Sequence, residues 1–162
     1  MPQNNRRILR FVSLDEAVLD SQELLAQGYI AVGNWDLSQC CRHLSLWLTY
    51  PVEGFPPMPF PMNITAWIMK NTFAPRWLKK TLRSGVWPAG VPTDKRTVIA
   101  PGGDDSAAVM EFRVAVEKFQ AYSGPIQPSP LFGDLDRETW KQVHLLHVAH
   151  HLSFLIPQEK SE

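Results

Sequence analysis

The chain has 162 residues, 16 basic and 16 acidic side chains, and a formal net charge of +0. Such a balance provides no bulk field to steer it to nucleic acid or an acidic bilayer. An apolar share of 44% and a charged share of 20% exclude collagen, coiled-coil and disordered classes. This length predicts one domain over 1–162, with an N-terminal arm over 1–12 and a polar tail over 157–162. Proline is abundant at 14 residues, and six tryptophans point to a large aromatic core or a lined pocket. Cys40 and Cys41 are adjacent and cannot frame the fold as a disulfide, which suggests a reducing, cytoplasmic compartment. Met1 to Phe11 has no apolar stretch of leader length, and no run approaches the roughly 18 apolar residues of a membrane span.

The first helix is predicted from Ser13, which with Glu16 fits a capping box. Leu14, Ala17, Val18, Leu24 and Leu25 recur at helical spacing, and Gly28 is a natural stop. A second helix should begin at Asp36, with Gln39 closing another box and Trp35 stapled onto Cys40. Its stripe is Leu37, Cys40, Cys41, Leu44, Trp47 and Leu48, and Pro51 should end it. Residues 51–62 hold five prolines and predict an extended crossover between helices that are not antiparallel neighbours. Asn63 can cap a third segment with Ile64, Trp67 and Ile68 as its stripe. Pro75 should break it before a short piece around Trp77, Leu78 and Leu82. Residues 84–105 read as a long irregular loop, the kind that often carries function, with Thr97 to Ala100 as a conceivable short strand.

Asp105 or Ser106 starts a fourth principal helix, on which Val109, Phe112, Val116 and Phe119 follow a 3-4-3 spacing. Gly124 and Pro125 end it, and a proline-rich loop over 125–135 follows. The last helix should run from Asp136 to about Ile156, with Leu135 and Trp140 at staple positions and Pro157 as its stop. With no sustained two-residue alternation anywhere, the reading is all-α with four principal helices.

All five histidines fall on two of these helices. His43 lies on the second, and His144, His147, His150 and His151 lie within eight residues of the last. At about 100° per residue, His144, His147 and His151 share an arc of about 60°, with His150 on its flank. His147 and His151 are i and i+4, so both imidazoles can reach one ion. His43 is the histidine available as a third ligand. Neutral imidazole suits Zn²⁺ or Ni²⁺, and three ligands leave positions open for water, thiolate or carboxylate. His144 reads as a core or pocket-wall residue, His150 as a flank residue bonded to solvent or a neighbouring helix, and Cys40 as a small buried hydrophobe or an alternate ligand. No H-E-x-x-H, C-x-x-C or E-x-x-H occurs, which excludes zincin proteases, zinc ribbons and di-iron bundles.

Two stretches carry a resemblance. Gly33-Asn34-Trp35-Asp36-Leu37-Ser38-Gln39, leading to His43-Leu44, is similar to the second-helix signature of the DinB/YfiT-like metalloenzyme superfamily. Phe132-Gly133-Asp134-Leu135 to Trp140, then His147 to Leu155, resembles its last helix. The chain more narrowly resembles an uncharacterised bacterial branch, a domain-of-unknown-function family. The resemblance implies a four-helix bundle in up-down-down-up order. It implies a divalent ion, commonly zinc or nickel, on His43, His147 and His151, and thiol-dependent chemistry: S-transfer or isomerisation with a low-molecular-weight thiol. It also implies a homodimer. One departure stands out. The superfamily often follows its last ligand with Arg-Gly-Gln, whereas this chain has Leu152-Ser153-Phe154.

The leading expectation is therefore a metal-dependent enzyme acting on a small-molecule substrate, with a thiol activated as a thiolate nucleophile. Tyr50, Arg42, Asn34 and Trp47 are near enough in sequence to contribute, and no catalytic role is assigned to any of them. Hydrolysis ranks lower, because no carboxylate sits near the histidines at suitable spacing. The alternative is a non-catalytic bundle with a structural metal or none, acting as a protein-binding module through its proline-rich loops. Arg6, Arg7 and Arg10, and Lys79, Lys80 and Arg83, read as solvated faces and not as a nucleic-acid surface.

Overall fold

The computed structural model describes residues 6–91 and 93–158. Six helices carry the chain. α1 spans Leu14–Gln27, α2 Leu37–Glu53, α3 Met62–Asn71, α4 Ala74–Ser84, α5 Asp105–Ala121 and α6 Arg137–Leu152. A 3-10 turn covers Lys95–Thr97. Two short strands, β1 (Tyr29–Ala31) and β2 (Leu155–Pro157), pair antiparallel with Ile30 opposite Ile156.

The expected start signals act where the sequence placed them. Ser13 Oγ accepts from the Glu16 amide, although Glu16 returns its bond to the Val12 amide and not to Ser13. At α2 the Asp36–Gln39 box closes in both directions. Both helices bury most of the stripes read from spacing, Leu14, Ala17, Val18 and Leu24 on α1 and Leu37, Cys40, Cys41, Leu44 and Leu48 on α2, whereas Leu25 is exposed and Trp47 half-buried. Each of the three leucines buried on α2 contributes about 1.5–3 kcal/mol to the hydrophobic term, before the entropy of ordering it is subtracted.

Side-chain ties fix how the long helices run. At the start of α2, the Ser38 amide donates to Asp105 Oδ1 at 2.9 Å, and the Tyr29 hydroxyl donates to Asp105 Oδ2 at 3.1 Å while accepting from the Leu37 amide at 3.0 Å. At the far ends of α2 and α5, Glu53 pairs with Lys118. The two helices are therefore parallel. Gln120 near the end of α5 reaches Asp15 at the start of α1, so those two are antiparallel. The β1–β2 ladder joins the C-terminal ends of α1 and α6.

Several boundaries differ from the sequence reading. Pro51 does not end α2, which continues to Glu53. The lost amide is tolerated because Pro51 and Val52 are buried and the Pro51 carbonyl accepts from Gln127 at 2.8 Å. α3 is capped by Pro61 and not Asn63, and its Ile64–Trp67–Ile68 stripe faces outward, leaving only Ala66 buried. The break near Pro75 is present, and the short piece around Trp77, Leu78 and Leu82 is α4, with Pro75 inside its start and not ahead of it. Pro75 sits in the first turn of α4, where a proline needs no partner for its missing amide. Residues 97–100 are not a strand.

α6 stops at Leu152 and not near Ile156, because residues 155–157 leave the helix to pair with β1. Three-residue strands are too short to show a two-residue alternation. The expected arm and tail are also tied down where they are described. Arg7 donates its amide to Ser153 O at 2.8 Å, and the Gln158 amide donates to Gly28 O at 3.0 Å. Residues 1–5 and 159–162 lie outside the described residues. No described helix is long and apolar enough to cross a membrane.

Candidate metal centre

His43 sits in the second turn of α2, facing α6 across the core, and is 1% exposed. His147 and His151 sit one turn apart on α6. The helix period puts them on one face, and the antiparallel crossing of α2 brings His43 to that face. His43 Nε2 lies 3.3 Å from His147 Nε2, and His147 Nε2 lies 3.0 Å from His151 Nε2. All three nitrogens fall within 4.8 Å of one another.

His43 Nδ1 lies 3.0 Å from the Thr97 carbonyl oxygen, an acceptor, so that nitrogen carries the proton. His43 Nε2 is then a lone pair aimed at His147. A single N–H on His147 can serve one neighbour and not both. A cation satisfies all three lone pairs at once. Tetrahedral coordination at zinc–nitrogen distances of about 2.0–2.1 Å needs ligand nitrogens about 3.3 Å apart, which the two short separations approach. The donor set fits zinc or nickel, and the carbonyl behind His43 is the kind of support that orients metal-binding imidazoles.

Burial keeps these rings neutral, the form a metal ligand requires. It pushes His43 down to about 4, against a small opposing effect of the Thr97 carbonyl. His147 and His151 are held well below the ordinary value by burial and then by neighbouring imidazoles. Three tryptophans wall the cluster. Trp35 stacks on His151 at 5.0 Å and meets His43 edge-on at 4.9 Å, Trp87 lies 4.9 Å from His147, and Trp47 meets His147 edge-on.

The remaining candidates separate cleanly. His144 is 2% exposed between Phe119 and Trp140 and lines the adjacent chamber, as a pocket-wall residue should. His150 also lines the chamber. It is not bonded to a neighbouring helix: its buried Nδ1 has no hydrogen-bond partner among the described residues. Cys40 is outside the donor cluster, and burial pushes its thiol up to about 12, so it is a poor source of thiolate. Arg42 turns away to Glu111 on α5. Leu152 and Ser153 are buried, and Ser153 Oγ donates to His150 O.

The sequence reading missed the contribution of the loop over 85–104. It brings Trp87 against His147, the Thr97 carbonyl against His43, and Asp94 to the chamber wall. Asp94 is the carboxylate that spacing did not find, and it is engaged by Arg96 at 2.7 Å. The tryptophan in a glycine- and proline-rich loop was the available signal.

One family model matches residues 3–158, under the description "Protein of unknown function (DUF1569)". The chain belongs to this family. No curated protein and no solved structure matches it. Both histidine segments and the loop that walls them fall inside the matched span.

Proposed function

We propose that the chain is a divalent-metal-dependent enzyme of the DinB/YfiT-like kind, acting with a thiol in S-transfer or isomerisation. The observation that carries the reading is the convergence of His43, His147 and His151 beside an open chamber of about 430 Å³. A closed structural site would be sealed by a fourth protein ligand, and none of the described side chains joins these three. Helices that run α1 up, α2 and α5 down and α6 up support the up-down-down-up bundle of that superfamily, with α3 and α4 inserted in the crossover.

Zinc or nickel on these nitrogens would supply Lewis acidity that lowers the pKa of a coordinated thiol or water. The protein's own part is orientation and exclusion. Thr97 fixes the His43 tautomer, Trp35 and Trp87 hold the rings of His151 and His147, and the aromatic walls keep bulk water from the cluster. Asp94 is ionised, held below the usual carboxylate range first by its bond from Arg96, and that engagement makes it a weak base. This favours thiol chemistry over base-assisted hydrolysis.

The test is metal content of untagged protein, wild type and His147→Ala, followed by thiol-transfer assays with and without a chelator. About one equivalent of zinc or nickel, lost in the variant, with chelator-sensitive transfer, supports the enzyme. One specific observation favours the alternative of a binding module: Phe60, Ile64 and Trp67 are 78%, 48% and 63% exposed on and beside α3. Metal-clamped protein without any transfer activity would turn the reading that way.

A further inference from the structure

We propose that the chamber takes an uncharged substrate bearing a flat apolar group and turns away anionic ones. The proposal rests on the enzyme reading above for the word substrate. The binding preference itself follows from the walls.

The chamber, about 430 Å³, is within the size range of small-molecule sites. Facing the α2 and α6 side of the chamber, its apolar wall comes from four further pieces of chain: Met69 and Phe73 from the end of α3 and the turn after it, Trp77 from α4, Trp87 from the long loop, and Phe132 from the proline-rich loop. Trp77 is the hub. Its ring lies parallel to Phe132, at 2° and 6.0 Å between centroids, and perpendicular to Trp87 at 5.5 Å. Rigid rings set parallel and perpendicular present faces and edges, which a flat π-system matches better than a branched chain does. The insertion of α3 and α4 in the crossover thus builds one side of the site.

Charge decides the second half. No lysine or arginine is among the described lining residues, and Asp94 is the single charged group. Arg96 engages that carboxylate and also donates to the Pro57 carbonyl at 2.8 Å, so its guanidinium is committed to tying the loop down. Thr93, the other polar side chain of the wall outside the histidine group, carries no charge. An anion entering the chamber would shed its hydration, meet a carboxylate and find no cation. Only a donor atom placed at the three histidines would escape this, so charge elsewhere on the substrate goes uncompensated. Carboxylate-bearing thiols fit poorly, and an uncharged aromatic thiol or acceptor fits well.

The test uses two fluorophores with one skeleton, uncharged N-phenyl-1-naphthylamine and the anionic 8-anilino-1-naphthalenesulfonate. Each is titrated into metal-free and zinc-loaded full-length protein, with zinc content measured separately. The expected result is one equivalent of the uncharged probe, bound by the metal-free protein at least about tenfold more tightly than the sulfonate. Phe73, at the rim and 58% exposed, can be changed without disturbing the core. Phe73→Arg should shift the preference toward the sulfonate, and Trp87→Leu should weaken the uncharged probe several-fold. Trp67→Ser, outside the chamber, should change neither. Equal or tighter sulfonate binding by the metal-free wild type would overturn the proposal. So would binding that ignores Phe73→Arg and Trp87→Leu but is lost in Trp67→Ser. Absence of zinc would defeat the metal reading alone, because the probe preference is read on metal-free protein.

Discussion

His43 and Thr97 are 54 residues apart, and the imidazole Nδ1 of the first lies 3.0 Å from the carbonyl oxygen of the second. That carbonyl belongs to the 3-10 turn which Asp94 caps, its Oδ1 accepting from the Arg96 amide at 2.9 Å and its carbonyl from the Thr97 amide at 2.9 Å. Asp94→Ala should loosen the turn and free the His43 ring. Zinc affinity, read by competition with a chromophoric chelator, should fall about 10- to 100-fold. Unchanged affinity would show that the Thr97 carbonyl does not orient the ligand.

The metal reading makes a stability prediction as well. Zinc at about 100 times its Kd should stabilise the fold by about 2.7 kcal/mol, a rise of about 5–10 °C in Tm for a domain of this size. His147→Ala should abolish the rise, whereas Cys40→Ser should retain it, because the Cys40 sulfur lies outside the donor cluster. A rise that survives His147→Ala would place the ion elsewhere.

Arg7 joins three parts of the chain. It contacts both oxygens of Asp20 at 2.6 and 2.8 Å and donates to the Leu152 carbonyl at 3.0 Å. Asp20→Ala leaves a guanidinium largely out of water without its partner. The expected cost is about 2–3 kcal/mol, below the figure for fully buried pairs because both side chains keep some exposure. Thermal unfolding should show Tm lower by about 4–12 °C. A drop under about 2 °C would mean the pair is screened.

His144 predicts acid sensitivity. Burial pushes it down to about 3, whereas in the unfolded chain it titrates near the ordinary 6.5. The native state thus holds it neutral while the unfolded state takes up a proton, so stability is lost as pH falls from about 6.5 toward 3. Denaturant unfolding should show about 1.4 kcal/mol lost per pH unit from this residue. His144→Gln should remove that slope, and an identical slope in the variant would assign the sensitivity to other groups.

The helices that matter most were legible because their signals are local. A capping box spans four residues and a buried stripe repeats every three or four, so α1, α2, α5 and α6 could be placed from neighbours alone. The His147–His151 pair was legible for the same reason: one helical turn puts both rings on one face. Pro51 shows the limit. Its local signal for a helix end was overridden by burial of the next turn. The outward stripe of α3 shows another, since amphipathic spacing says that a face is apolar but not which way it points.

By itself the sequence determined a mostly helical chain and a pair of histidines able to share an ion. Tertiary structure decided the rest, because the remaining contacts are long-range. Only the crossing of α2 on α6 brings His43 to His147. Only the path of the loop over 85–104 delivers Trp87, Asp94 and the Thr97 carbonyl, in a stretch with no periodicity to read. Only the docking of α3, α4 and the proline-rich loop encloses the chamber. Closing such loops costs chain entropy that burial of the tryptophans and Phe132 offsets, a balance set by the whole fold and not by any one segment.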